Sequence, residues 1–371
     1  MWLERLEADR LRNLRAVGIG LPTGLVMLVG RNGQGKTSLL EAVYLLATGR
    51  SFRTRRTDEL VSFGGGPLRV AGRVIGRLGP TALGVVIDGS ERRLLADEAP
   101  SDLESFLGRL DVVDLSAQRM DVLRGGPPDR RRFLDRGVVG LRPWFLRSLA
   151  EYRRVLHQRN ALLRGSGKVR GGSAEAQLDA WDERLAAAAR EVHCRRREYT
   201  VLLSGELGPF GRMLFPEGGE VRLHYRPSPA EAARVEVADF STSYMDDLRR
   251  GRPRDRQLGH TCRGPHRDDL VVELDGVDLR RFGSAGQVRA TMIALKLGKL
   301  SLLQKQTGET PVFLMDDFDS DLDEVRAAAL AEHLHRGGFQ ALVATSKEGM
   351  AERIGVPFTK ILLSEGTVRE R

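Results

Sequence analysis

The sequence is poor in cysteine, in aromatic residues and in long apolar runs. Cys194 and Cys262 are its only cysteines. They lie far apart in unrelated contexts, so neither a disulfide framework nor a zinc-binding pattern can be built from them. No stretch of about eighteen apolar residues occurs, which excludes a membrane-spanning helix. The opening residues Trp2, Glu4 and Arg5 lack the apolar core of a signal peptide. Together these absences point to a reducing cytoplasm. Internal repeats are missing, and the only biased tract is a short glycine-serine reversal near residue 170.

What the chain does have is length and basic charge. At 371 residues it can bury a substantial core and form two lobes. Its formal charge is +9 with a pI near 10.0, which favours a polyanionic partner, nucleic acid first. Such a composition also occurs in proteins that bind no DNA, so the charge needs motifs beside it.

The apolar run Leu25–Val29, bounded by Gly24 and Gly30, reads as a buried strand. Helical spacing follows from 37 to 47. Segments 68–75 and 82–88 read as sheet. From residue 143 the texture changes: Phe145, Leu149, Tyr152, Leu156 and Leu163 form a seam in which Arg159 breaks the apolar pattern. After the glycine reversal, Leu178 to Leu202 resume a 3-4 spacing with Arg195 as its polar exception. This predicts two antiparallel helices over about 143–207, a short projecting arm. Residues 270–274 and 277–279, joined by Asp275-Gly276, predict a hairpin. A strand at 311–315, a helix at 325–335 and a strand at 341–344 complete the reading, with 1–110 and 300–371 as one lobe and 111–299 as the other.

Gly30, Arg31, Asn32, Gly33, Gln34, Gly35, Lys36 and Thr37 fit GxxxxGK[ST] between a buried strand and a helix, where such a loop must lie to close backbone N–H groups around phosphates. Lys36 is expected to reach the β- and γ-phosphates of ATP, with Ser38 opening the helix beside it and the Thr37 hydroxyl holding Mg²⁺. Val312 to Met315 run into Asp316 and Asp317. Asp316 is expected to hold Mg²⁺ and Asp317 to orient the attacking water.

Many ATP-binding classes share this loop. The segment Gly283-Ser284-Ala285-Gly286-Gln287 resembles the LSGGQ signature of ABC ATPases, with Gly283 and Ala285 in place of Leu and the first Gly. Ser284, Gly286 and Gln287 would then present a second anion site at a helix start; the same residues also suit an ordinary N-cap. The order favours the signature, because Asp316 follows it and Asp319 to Asp323 resemble a D-loop. In that class the signature addresses the partner's nucleotide, which implies an ATP-dependent head-to-tail dimer. Ser346 where transporters carry a switch histidine, and Asp317 rather than Glu, imply slow turnover.

Further stretches are similar to the RecF family of bacterial recombination mediators. They are Leu11-Arg12-Asn13-Leu14-Arg15, the loop and helix to Leu46, Gly49 to Thr54, Gly126 to Asp135, and Gly264-Pro265-His266-Arg267-Asp268-Asp269. The resemblance implies an α/β fold: an ABC-type P-loop ATPase head with a second, mainly helical lobe. It implies a weak ATPase of DNA replication, damage repair and the SOS response. The implied partners are double-stranded DNA near single-strand gaps, RecR, RecO and RecA. Gln118 reads either as a Q-loop glutamine or as a surface residue. Of the basic clusters (Arg50 to Arg56, Arg130 to Arg132, Arg249 to Arg256), the last, read as a loop, is the DNA candidate. Arg131 and Arg132 are expected to hold acids such as Asp135, and Arg195 to Arg197 to be a wet helix face. His266 and Arg267 are expected to brace a polar turn, not a metal. A small-acceptor kinase leaves 283–287 unexplained. An SMC-like head serving another DNA-processing complex is the competing reading.

Overall fold

The computed structural model describes residues 1–54, 56–62, 66–115, 121–165, 172–318, 323–347, 349 and 354–369. They form two compact units. The first comprises Met1–Met120, Glu206–Gly219 and Ser284–Arg371; the second comprises Asp121–Gly205 and Glu220–Gly283.

Two six-stranded sheets build the first unit. One is antiparallel, in the order β2 (Leu14–Gly20), β1 (Trp2–Leu11), β4 (Leu68–Gly76), β5 (Gly79–Asp88), β6 (Glu91–Ala96), β7 (Ala99–Ser101). The other runs β15 (Thr367–Arg369), β14 (Phe358–Ser364), β3 (Leu25–Val29), β13 (Ala341–Thr345), β12 (Val312–Met315), β8 (Val112–Leu115). Its strands are parallel except for the edge hairpin β14–β15. Strands β3, β12 and β13 are buried on both faces, which is why they read as unbroken apolar runs.

Helix α1 (Lys36–Thr48) packs on both sheets, against β1, β4 and β5 of the first and β8 and β13 of the second. It is therefore buried almost throughout, and from Leu39 to Ala47 it is apolar except for Glu41. The side chain of Gln340, itself buried, ties the sheets together: Leu3 N–H donates to its Oε1, and its Nε2 donates to Leu3 O, both at 2.8 Å. Helices α2 (Leu103–Phe106), α9 (Ala285–Thr307) and α10 (Glu324–Arg336) complete the unit.

In the second unit are α3 (Asp121–Arg124), α4 (Pro127–Leu141), α5 (Phe145–Gly165), most of α6 (Gly172–Leu214), α7 (Phe240–Leu258) and α8 (Leu279–Phe282). A three-stranded sheet joins them, in the order β11 (Val277–Asp278), β10 (Asp269–Leu274), β9 (Val221–Arg226). The Asp275-Gly276 turn between β10 and β11 carries φ of 51° and 77°, the positive pair of a tight hairpin turn. Helices α5 and α6 run antiparallel: Arg142 meets Glu198, Trp144 lies under Arg195, and Arg159 meets Asp182.

The arm of the sequence reading is thus a pair of helices, with a third helix, α7, laid along it. That helix was unforeseen, because Gly251 and Pro253 within it read as loop signals. Expected domain limits of 110/111 and 299/300 fall instead at Met120/Asp121 and Gly283/Ser284, with Glu206–Gly219 also in the first unit. The second shift arises because α9 packs against β8.

Candidate functional site

The turn from β3 into α1 is a cradle built from backbone. Gly33 and Gly35 have φ of 81° and 105°, a region that side chains disfavour. At Gly30 a Cβ would stand 2.5 Å from the carbonyl oxygen of Leu363. The Lys36 ammonium is buried and donates to the carbonyls of Gly30 at 2.6 Å and Arg31 at 3.1 Å. Arg31, Asn32 and Gly33 are exposed at the rim.

A second layer holds this loop. Asn13, at the β1–β2 turn, donates through Nδ2 to Gly33 O and accepts through Oδ1 from the Ser38 hydroxyl, both at 2.7 Å. Gln34 accepts from the Glu365 N–H, and Gly366 N–H donates to Gln34 O at 3.3 Å. Beneath lies Glu41, fully buried, which accepts from Arg12 at 3.0 and 3.2 Å and from the Ser51 hydroxyl. Arg53 stands 3.7 Å from the same carboxylate. The supporting roles of Asn13, Glu41 and Ser51 were not foreseen. The motif beginning Leu11-Arg12-Asn13 was visible, but nothing local says that it turns back onto the loop.

Asp316 follows β12, two strands away from β3. Its carboxyl is buried and hydrogen-bonded to the Thr37 side chain. Its Oδ1 has no hydrogen-bond partner among the described residues. Burial pushes Asp316 above the ordinary carboxylate range, against the pull of Thr37, while the adjoining Asp317 adds to the rise. Asp317 is exposed, with a φ of 51° that turns the chain sharply after the strand.

This donor set fits Mg²⁺: one carboxylate with a bare buried oxygen beside one hydroxyl, the remaining ligands falling to phosphate and water. Among the described residues no group of three or more His, Cys, Asp or Glu converges as a metal cage.

Ser284 N-caps α9 through a capping box. Its hydroxyl accepts from Gln287 N–H at 3.2 Å, and Gln287 Oε1 accepts from Ser284 N–H at 2.9 Å. Residues 284–287 are all exposed, and a Cβ at Gly286 would meet open space. Gln118 and the segment 319–322 of the D-loop lie outside the described residues; Asp323 caps α10.

The basic clusters depart from expectation. Residues 249–256 are helical, not a loop, and most of their charge is matched. Arg252 meets Asp182, Asp179 and Glu175; Arg256 meets Glu175; Arg249 lies 3.6 Å from Asp179; and Arg250 meets Asp247. Arg196 does not belong to a wet face. It is buried, with Asp135 at 2.8 Å and Asp268 at 2.9 Å. Asp135 is therefore held by Arg196, while Arg132 pairs with Asp129 and Arg131 donates to Asp268 O. Arg55 lies outside the described residues, and Arg56 pairs with Asp58.

No family model matches the chain. Curated relatives do. The DNA replication and repair protein RecF of Myxococcus xanthus is 36% identical, over 93% of this chain and 91% of the relative. The RecF of Chloroflexus aurantiacus is 34% identical over 93% of each. Among solved structures, the recombination mediator protein RecF with ATP aligns at a TM-score of 0.88 and 27% identity, over 100% of this chain and 97% of that one. The Smc head of Pyrococcus furiosus aligns at 0.56 with 16% identity, a likeness of fold alone. The fold is that of the ABC-type ATPase heads.

Proposed function

The chain belongs to the RecF family of DNA replication and repair proteins, and from that premise we propose that it is a slow, ATP-driven DNA-binding switch of recombinational repair. In this reading ATP·Mg²⁺ drives a head-to-tail dimer. The dimer binds double-stranded DNA near single-strand gaps in the cytoplasm and works with RecO and RecR to load RecA. The observation that carries it is the convergence of Lys36, Thr37 and Asp316, the first two following β3 and the last following β12 of one sheet, two strands apart.

Each residue has a task. Lys36, held now by the carbonyls of Gly30 and Arg31, turns its ammonium onto the β- and γ-phosphates. The backbone N–H groups of residues 33–37 and the start of α1 bind the remaining phosphate oxygens. Thr37 and Asp316 hold Mg²⁺, whose chemistry is to neutralise charge on the transferring phosphoryl group. Asp317 orients the attacking water. Ser284 and the first N–H groups of α9 address the γ-phosphate bound by the partner protomer. Hydrolysis then dissolves the contact that the triphosphate made.

Two variants test this. Lys36→Ala removes a charge-assisted contact and should lower ATP affinity about 10- to 100-fold; calorimetric titration showing wild-type affinity would remove the loop from the site. Ser284→Arg should bind ATP normally yet fail to dimerise in sedimentation. An equal dimer fraction in both proteins would refute the shared-nucleotide reading.

A further inference from the structure

The second unit matches most of its described arginines internally, and two that flank one cleft are exceptions. Arg226 ends β9, directly across from Asp269 on β10. Arg280 lies in the first turn of α8, where its backbone N–H donates to Asp278 Oδ1 at 2.9 Å. Both side chains are exposed, and neither guanidinium has a hydrogen bond or ion pair among the described residues. They line one small cavity of about 50 Å³, open to solvent, together with Arg130, Asp269 and Asp278.

The acids in this cavity are already committed. Asp269 is gripped by both arms of Arg130, at 2.6 and 2.9 Å, and feels Arg280 only at longer range. Asp278 caps α8. Two cations with no partner among the described residues therefore line a hollow in which Asp269 is paired with Arg130 and Asp278 is turned to a backbone N–H. A guanidinium fork is shaped for the oxygens of a phosphate.

We propose that this cavity is a phosphodiester site: Arg226 and Arg280 grip one backbone phosphate of duplex DNA and fix the duplex against the second unit. The site rests on the reading that the protein binds DNA, and it replaces the 249–256 segment as the seat of phosphate contacts. A contact of this kind positions the duplex without reading its sequence.

The test uses the intact chain, a labelled duplex and fluorescence anisotropy across a salt series. The paired variant R226A/R280A should flatten the slope of log affinity against log salt by about 0.9, the loss of one neutralised phosphate. Its affinity should fall about tenfold whatever the duplex sequence. R226K/R280K keeps the charge and should keep the slope while losing part of the affinity. Arg153, an exposed arginine on α5 outside the cavity, supplies the control R153A, which should behave as wild type. Wild-type slope and affinity in R226A/R280A would overturn the site and leave DNA binding standing; so would an equal loss in R153A, which would mark a general charge effect. A wild-type protein that binds no duplex even at low salt would overturn the DNA reading itself, and the proposed occupant with it.

Discussion

In the first unit the cradle is made by near neighbours: Lys36 reaches back six residues to Gly30, and the glycines between them set the path. In the second unit the groups that hold the structure are far apart in sequence. Arg159 meets Asp255 across 96 residues, and Arg196 meets Asp268 across 72. The nucleotide loop is thus shaped by backbone, while the second unit is held together by buried side-chain charge. The difference teaches that arginine content alone says little about DNA. Much of the second unit's arginine is matched by its own acids, and the cations available to a ligand are those left over.

The largest effect expected from this contrast is at Arg159. It is fully buried, with Asp182 at 2.6 Å, Asp255 at 2.7 Å and the Thr261 hydroxyl at 2.7 Å. Burial opposes its charge, but the two carboxylates outweigh that and raise its pKa above the usual arginine range. Arg159→Ala leaves two buried acids short of a partner. It should cost about 3–5 kcal/mol, lowering the melting temperature by roughly 6–20 °C. ATP affinity, measured well below the melt, should hold within about twofold, because the cradle is backbone-built. A parallel loss of nucleotide binding would break the comparison.

A second test is acid. His266 is locked neutral: Tyr152 donates its hydroxyl proton to Nδ1 at 2.6 Å, and Nε2–H donates to Thr261 O at 2.9 Å. A second ring proton would oblige the Tyr152 hydroxyl to turn from donor to acceptor. Burial, with Arg267 and Arg131 nearby, lowers its pKa to about 4; burial and the charges of Arg197 and Arg196 do the same for His193. The unfolded chain takes up these protons at an ordinary pKa of 6.5, before the folded one does. Stability is therefore full above that pH and is lost as pH falls toward about 4, by up to about 3 kcal/mol for each histidine. His333 in the first unit is shifted down by burial too, so the contrast is one of degree. Melting curves across this window, with proteolysis to locate the first segment to open, should show the second unit yielding first. His266→Gln, which keeps a donor and an acceptor, should flatten the acid limb.

Legibility in the sequence follows the same division. The strand, loop and helix from Leu25 to Thr48 could be read because each element is specified by residues beside it, and β12 with Asp316 because a doubly buried strand is apolar throughout. Arg159 was visible only as a flaw in a heptad seam, since its partners lie on other helices. The helix across 249–256 was hidden by Gly251 and Pro253, whose local preference yields to the ion pairs that α7 makes with α6. Sequence showed where charge is concentrated, not whether it is already matched.

The smallest effect sharpens the comparison from the other side, where the cradle does depend on a side chain. Asn13 bridges the loop to its helix from outside both, donating to Gly33 O and accepting from Ser38. Its loss in Asn13→Ala removes two neutral hydrogen bonds at a partly exposed site, about 1–2 kcal/mol in all. This should appear as an ATP affinity roughly 5- to 30-fold weaker with the melting temperature nearly unchanged, because the fold's core does not rest on Asn13. Asn13→Asp keeps the acceptor for Ser38, loses the donor to Gly33 and sets a negative charge beside the triphosphate. Affinity should therefore fall further than in the alanine variant, and the excess should shrink as salt is raised. Equal affinity in the two variants would mean that Asn13 acts only as a spacer and that the loop's shape is wholly the work of its glycines.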